Sequence, residues 1–568
     1  MIAKATPALR HLLRPSGWTV AVWLVALLVA LPVLVVLGSL AAPSEGVLAH
    51  LASTVLGEYV TNSLILLLGV GAGVLVIGIS TAWLVTMCRF PGSHFCEWAL
   101  LLPLAAPAYL LAYTYTGWLD YYGPVQFWLR SQFGWQSVSD YWFPDVRSIG
   151  GAVAMFSLTL YPYVYMLARV AFLEQSSCTL EASRSLGCSP WRSFTRVALP
   201  LARPAIMAGL SLALMETLSD FGTVDYFGVG TFTTGIYRTW FGMGAQVAAA
   251  QLAAILMIFI LGLITLERWS RRQARYYRAK NSARRPRPYY LRGIRAAAAL
   301  TACVLPITLG LLLPGGLLAH MTLTHLDETL DRRFFELAQH SLLLASVTAV
   351  IGVLVALVLG YGERLSDQGV VNLGVRVASM GYAVPGAVIA VGILIPIVRL
   401  DKGIALWIKT MTGSSPSLIL SGTITALVFA YLVRFLAVAL GTVETGLGKI
   451  RPSLDDAARN LGCTPTQTLV KIHTPLMTSS LLTALMLVFV DVMKELPATL
   501  VMRPFNFDTL AVRVYQYASD ERLVEASAPA LIILLVGLIP VVALSWQIAR
   551  DRQHQELPPA RIDAASGP

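Results

Sequence analysis

Apolar runs of about 20 residues recur along the whole chain, separated by short polar stretches, and predict helices that cross a bilayer. They lie near 19–41, 60–86, 95–117, 149–172, 203–221, 247–267, 296–319, 337–361, 374–398, 417–440, 476–496 and 528–548. That makes twelve spans, six per half. Two shorter apolar segments, 222–246 and 497–526, are candidates for stretches that dip back into the membrane. Composition agrees: 56% of the 568 residues are hydrophobic and 13% charged, with a mean hydropathy of +0.68, too apolar for a water-soluble protein of this length. The chain reads as an all-α polytopic membrane protein.

One polar loop breaks this pattern twice, at a single register. Glu181-Ala-Ser-Arg-Ser-Leu-Gly-Cys-Ser-Pro190 and its continuation to Pro200 recur as Asp456-Ala-Ala-Arg-Asn-Leu-Gly-Cys-Thr-Pro465 and onward to Pro475. The offset is 275 throughout (456 − 181, 462 − 187, 475 − 200). The same register carries Glu216 onto Asp491, Asp220 onto Glu495, Phe232 onto Phe507, Thr234 onto Thr509 and Arg238 onto Arg513. Upstream, Asn62-Ser-Leu64 resembles His340-Ser-Leu342 at an offset of 278, and Glu174 resembles Glu444 at 270. The molecule is therefore an internal duplication. Six spans per half give both halves the same orientation, related by an axis along the membrane normal.

Basic residues set the expected orientation. Lys4, Arg10 and Arg14 precede the first span, Arg184, Arg192 and Arg196 lie in the first repeated loop, and Arg459 and Lys471 lie in the second. Arg268–Arg295 is the most basic tract. All fall on one side of the twelve-span arrangement, which the positive-inside rule makes cytoplasmic, together with both termini. The net charge of +11 thus reads as a topology signal beside anionic membrane lipid, with no nucleic-acid partner implied. The first apolar run is too long for a signal-peptide core and is expected to stay as a span. None of the six cysteines, Cys88, Cys96, Cys178, Cys188, Cys303 and Cys463, falls in an outer loop, so disulfides are not expected.

Two glycine motifs carry no nucleotide site. Gly69-Val-Gly-Ala-Gly73 lies within a span and suits close helix packing. Gly446-Leu-Gly-Lys449 lacks a glycine at 443 and the following Ser/Thr of a phosphate loop. The eight histidines show no i, i+4 pairing or cysteine partners for zinc.

The repeated loop resembles the "EAA" loop of permease subunits in binding-protein-dependent ABC importers. In the first copy Glu181, Ala182, Gly187 and Leu199-Pro200 match, with Ser183 at the second alanine; in the second copy Ala457, Ala458, Gly462 and Pro475 match, with Asp456 for glutamate and Thr474 before the proline. Each copy predicts a short helix with an acid near its N-terminus and a glycine cap of positive φ. The resemblance implies two parallel six-helix halves of the type I ABC importer permease fold. It also implies a non-catalytic membrane subunit without a cofactor of its own. Two ATPase subunits carrying ATP and Mg would dock on the coupling loops, and a periplasmic binding protein would deliver substrate at the bacterial inner membrane. The expected organisation is a first half over 1–267 with its coupling loop at 174–200, a basic linker over 268–295, a second half over 296–548 with its coupling loop at 444–475, and a tail over 549–568.

Met215–Trp240 and Lys494–Arg513 are similar to the corresponding stretches of fused ferric-iron permeases, an architecture shared by thiamine and phosphonate permeases. The residues point the same way. Glu216 and Asp220 lie four apart on one helix face, as do Asp491 and Glu495. Carboxylates within a membrane face a cavity, pair or take a proton, and a hard cation such as Fe3+ favours oxygen ligands. These four acids are the candidate translocation path and a transient metal contact, with no firm metal site expected. Structural alternatives are that Lys494 neutralises one acid, that Asp220 and Glu495 sit at the outer rim, and that all four bond loop backbone. Arg434 is a further path candidate, pairing with Asp491 or Glu495 or else snorkelling to the surface. From another class, a secondary transporter driven by an ion gradient could share the spans, and a channel would conduct without ATP, but neither needs two matching docking loops.

Overall fold

In the computed structural model, residues 17–44, 46–175, 181, 183, 185–272, 288–366, 369–413 and 419–556 are described. The N-terminal arginines, Ala182, Arg184, Cys178, most of the basic linker and the end of the tail lie outside them. The helices of the first half are α1 (Gly17–Gly38), α2 (Leu56–Met87), α3 (Ser93–Ala99), α4 (Ala108–Leu119), α5 (Ile149–Glu174), α6 (Leu199–Ser219), α7 (Gly222–Tyr226) and α8 (Gln246–Arg272). Those of the second are α9 (Ile294–Ile307), α10 (Arg332–Leu365), α11 (Gly369–Ala378), α12 (Gly386–Thr412), α13 (Ile424–Gly448), α14 (Pro452–Asn460), α15 (Thr478–Met493), α16 (Pro497–Met502), α17 (Leu510–Ser519) and α18 (Leu523–Glu556). Nine helices among the described residues are long and apolar enough to cross a membrane, and three bent pairs bring the number to twelve. Every expected span has its helix. The segments expected to dip back hold α7, Phe232–Tyr237, α16 and α17, all short and largely buried.

The third span of each half, read in the sequence as one continuous run, is broken. The two pieces meet at 90° in the first half and at 114° in the second. Pro107 and Pro385 open α4 and α12, and the residues before them are extended: Ala106 has φ −92°, ψ 114° and Val384 φ −90°, ψ 124°. A proline's Cδ forbids the α conformation to the residue ahead of it, so the helix must stop there. Both breaks sit 278 apart (385 − 107), the offset already visible upstream, and this was the signal that could have revealed them.

Each half clasps the other. α1 packs on α11 and α12, while α9 and the following Leu313–Thr324 pack on α3 and α4. Where small residues allow it, backbones touch: a Cβ on Gly392 would lie 2.4 Å from the Pro32 carbonyl oxygen, and one on Gly537 would lie 2.4 Å from that of Ala105. Within the first half, α2, α5 and α6 form a packed trio, and α10, α13 and α15 form its counterpart. Gly69 and Gly73 serve the first trio as expected, since added Cβ atoms would meet Val153 at 2.8 Å and Ser157 Oγ at 2.1 Å on α5. The sole sheet among the described residues joins Cys88–Arg89 to Tyr289–Tyr290 in parallel, tying the end of the linker to the end of α2.

Candidate functional site

The two repeated loops, the candidate coupling loops, rise from the same local chemistry. Gly187 and Gly462 both have φ of +79°, and the amides of Cys188 and Cys463 reach back to the carbonyls of Ser183 and Ala458, each at 3.0 Å. This is a Schellman cap, and only glycine adopts the left-handed conformation cheaply. Just ahead of each glycine stands a leucine, Leu186 and Leu461, each 84% exposed, the apolar tip of a knob. After each glycine, Ser189 and Thr464 cap a new turn that begins at Pro190 and Pro465. A π-bulge follows at Phe194–Ala198 and again at Leu469–His473. Pro200 and Pro475 lack an amide proton and would strike the carbonyl four residues back, and the wider π turn relieves that clash.

One expectation needs correction. α14 begins at Pro452, a turn earlier than the loop pattern suggested, so Asp455 occupies its first turn. Asp456 instead lies on the exposed face beside Arg459 at 3.5 Å, and Ala457 sits one residue further on. Of the first copy, Glu181 is exposed and Ala182 lies outside the described residues. Asp455 is held by Arg364 at 2.7 Å and lies 2.7 Å from His473 Nε2, and Arg364 also donates to the Ile450 carbonyl at 2.9 Å. This clamp fastens α14 to the ends of α10 and α13. Sequence reasoning passed over it because its three residues come from separate elements.

All five path candidates line one cavity of about 90 Å³ between the halves: Glu216, Asp220, Asp491, Glu495 and Arg434. That is space for several waters. The α6 and α15 helices bring in Glu216 and Asp491, and α13 brings in Arg434. The broken third spans contribute Tyr109 and Tyr382. The symmetry of the acids is partial. Asp220 accepts hydrogen bonds from the amides of Thr223 at 2.8 Å and Val224 at 3.3 Å, and Glu495 accepts one from Ala498 at 3.0 Å. Position 223 maps onto 498 at the 275 offset, so both acids hold the starts of the short helices α7 and α16.

Neutralisation, by contrast, comes from one half. Arg434 pairs with Glu495 at 3.1 Å, with the side chains 9% and 4% exposed, and Lys494 pairs with Asp491 at 2.9 Å. Their counterparts 275 residues earlier are Thr159 and Ser219, both on the same cavity wall. Arg434 does not snorkel, because Glu495 lies within reach inside the bundle. Glu216 has no hydrogen-bond or ion-pair partner among the described residues. Four carboxylates thus face two cations. No group of three His, Cys, Asp or Glu able to hold a metal ion is found among the described residues.

A second buried ion pair escaped sequence reasoning. Arg169 on α5 meets Glu97 on α3, and the Tyr165 hydroxyl donates to the Glu97 carbonyl at 2.6 Å. Two opposite charges inside predicted spans were the available signal.

Room for the Arg434–Glu495 pair depends on Gly386, whose added Cβ would lie 2.4 Å from Arg434 Nη1 and 2.6 Å from Glu495 Oε1. Gly386→Ala should therefore destabilise the purified permease by about 1–3 kcal/mol, lowering its thermal midpoint. Gly441→Ala, with nothing within 4 Å of the new Cβ, should leave the midpoint in place. Equal midpoints for both variants would contradict the crowding argument.

Two matching glycine-capped knobs and one shared cavity between duplicated, interlocked halves fit a fused permease of the ABC importer class. The chain belongs to the family of binding-protein-dependent transport system inner membrane components, whose sequence profile matches residues 75–272 and 349–551. The matches begin 274 residues apart (349 − 75), as the duplication requires. The Fe(3+)-transport system permease protein FbpB 2 of Haemophilus influenzae is 25% identical over 544 residues, covering 94% of this chain and 98% of that relative. The molybdenum transport system permease protein ModB of Escherichia coli is 29% identical over 208 residues, 35% of this chain and 87% of ModB. The sulfate transport system permease protein CysT of Escherichia coli is 32% identical over 151 residues, 27% of this chain and 51% of CysT.

Proposed function

We propose that this permease passes ferric iron, delivered by a periplasmic binding protein, into the cytoplasm. The observation that carries the reading is the unbalanced cavity: four carboxylates share two cations, and Glu216 and Asp220 make no ion pair of their own among the described residues, so the passage favours a cation over a dianion such as sulfate. The relative that covers nearly the whole chain is named for Fe(3+), whereas the relatives named for molybdenum and sulfate match about a third of it or less. Acids, hydroxyls and phenols around the cavity offer a hard cation successive oxygen contacts without chelating it, which suits passage better than storage.

In this mechanism the halves, 1–267 and 296–548, rock about the cavity. Two separate ATPase subunits, which bind ATP and Mg, seat around Leu186 and Leu461 on the cytoplasmic side, where both termini also lie. Closing of the ATPases pushes the two capped loops, and the α6 and α15 helices carry that displacement to Glu216 and Asp491. The clamp of Arg364, Asp455 and His473 makes the second loop move as one body with α10 and α13. This chain performs no covalent step.

Proteoliposomes holding the permease with its ATPase and binding protein test the reading. Radiolabelled ferric iron should accumulate only with ATP inside the compartment that holds the ATPase. Sulfate accumulation without iron accumulation would overturn the substrate, and iron accumulation driven by an ion gradient without ATP would overturn the class.

A further inference from the structure

The face opposite the coupling loops is not symmetric. In the second half, Arg503–Asp508 links α16 to α17 and raises Phe505, 93% exposed, at its tip. Asn506 beside it has φ of +60°, one of two non-glycine residues of positive φ among those described; the other, Glu521, lies on the same face. Arg503 pairs with Asp508 across the base of the loop, which holds the aromatic ring away from the body. In the first half the corresponding link ends at Gly230, which accepts from Asn62 as Asp508 meets His340, and its large residues Phe227 and Val229 are buried, so it raises no such projection.

Two open grooves of about 550 and 490 Å³ flank the loop and share Arg333, Asn506 and Asp508. Their charges divide into spent and unspent. Arg332 pairs with Glu336 at 3.4 Å. Arg513 bonds only neutral oxygens, Gln516 Oε1 at 3.0 Å and the Tyr517 hydroxyl at 3.2 Å, and Arg333 has no ion pair among the described residues. An exposed aromatic between two guanidiniums without carboxylate partners has the composition of an interface anchor. At the upstream offset of 278 the position matched to Arg333 in the first half is Val55, which carries no charge.

A two-lobed binding protein meeting a permease with two nearly equivalent halves has two ways to sit. We propose that the Phe505 loop, with Arg333 and Arg513, is the key that selects one of them, by receiving an acidic patch on one lobe of the binding protein. The inference rests on the importer reading and adds which half takes which lobe. The left-handed turn at Asn506 presents the ring, and the arginines reject the lobe that lacks matching acids.

Photo-cross-linking in intact cells that carry the full transporter tests this. A benzophenone amino acid placed at position 505, and separately at exposed Tyr122 in the first half, is irradiated and its adducts are mapped by mass spectrometry. The expected adducts from 505 fall on one lobe of the binding protein, near acidic residues, and those from 122 on the other lobe. Adducts from 505 distributed over both lobes, or found only on lipid, overturn the proposal while adducts from 122 keep the importer reading intact. Absence of binding-protein adducts from both positions counts against the importer reading itself. As a second measurement, Phe505→Ala and Arg333→Glu should each weaken binding of the substrate-loaded binding protein to the purified complex by about tenfold or more. Unchanged affinity in both would exclude the loop as an anchor.

Discussion

Glu216→Gln is expected to cut iron uptake tenfold or more with no loss of folded permease. The side chain faces the cavity and has no bonded partner among the described residues, so its amide replacement strands nothing. At an effective dielectric of about 20, a unit charge 4 Å from a unit charge contributes about 4 kcal/mol, and about 1.4 kcal/mol is a tenfold change in rate. Removing one of the two acids that form no ion pair therefore has a large effect on a cation's passage. Asp491→Asn should behave differently, because Lys494 at 2.9 Å would lose its counter-charge and the folded yield should fall along with uptake. Measuring uptake and detergent-extracted yield side by side distinguishes the two acids. Normal uptake in Glu216→Gln at normal yield would remove this carboxylate from the path.

Gly187→Val combined with Gly462→Val should release the ATPase subunits while leaving the permease inserted. At φ of +79° a residue with a Cβ costs roughly 1–2 kcal/mol, and a β-branched one more. Nothing lies within 4 Å of either added Cβ, so the strain is of the backbone alone. The Schellman turn would open and swing Leu186 and Leu461 away from their presented positions. Co-purification of the ATPase should drop at least tenfold in the double variant, with each single variant intermediate, since two contacts add their free energies. Full ATPase recovery at wild-type yield would show that the knobs do not carry the docking.

The coupling loops were legible because their chemistry is local: a helix, a glycine and a proline within 20 residues, written twice. Even there, the true start of α14 was hidden, since Pro452 and Asp455 belong to a turn that the repeated motif does not include. The broken third spans were written in the sequence as Ala106-Pro107 and Val384-Pro385, yet a hydropathy pattern averages across a proline and shows one continuous run.

Hydropathy and register, which depend only on neighbours in the chain, were enough to determine the number of spans, the duplication and the four acids at matched positions. The tertiary structure alone decided what those acids do. Arg434 neutralises Glu495 from 61 residues away, and the breaks at Pro107 and Pro385 bring Tyr109 and Tyr382 to the same wall. Which helix faces meet across the two halves is set by close packing of glycines such as Gly392 and Gly537 against distant backbone. A pattern of apolar residues carries no information on that choice, because every face of a membrane helix can be apolar.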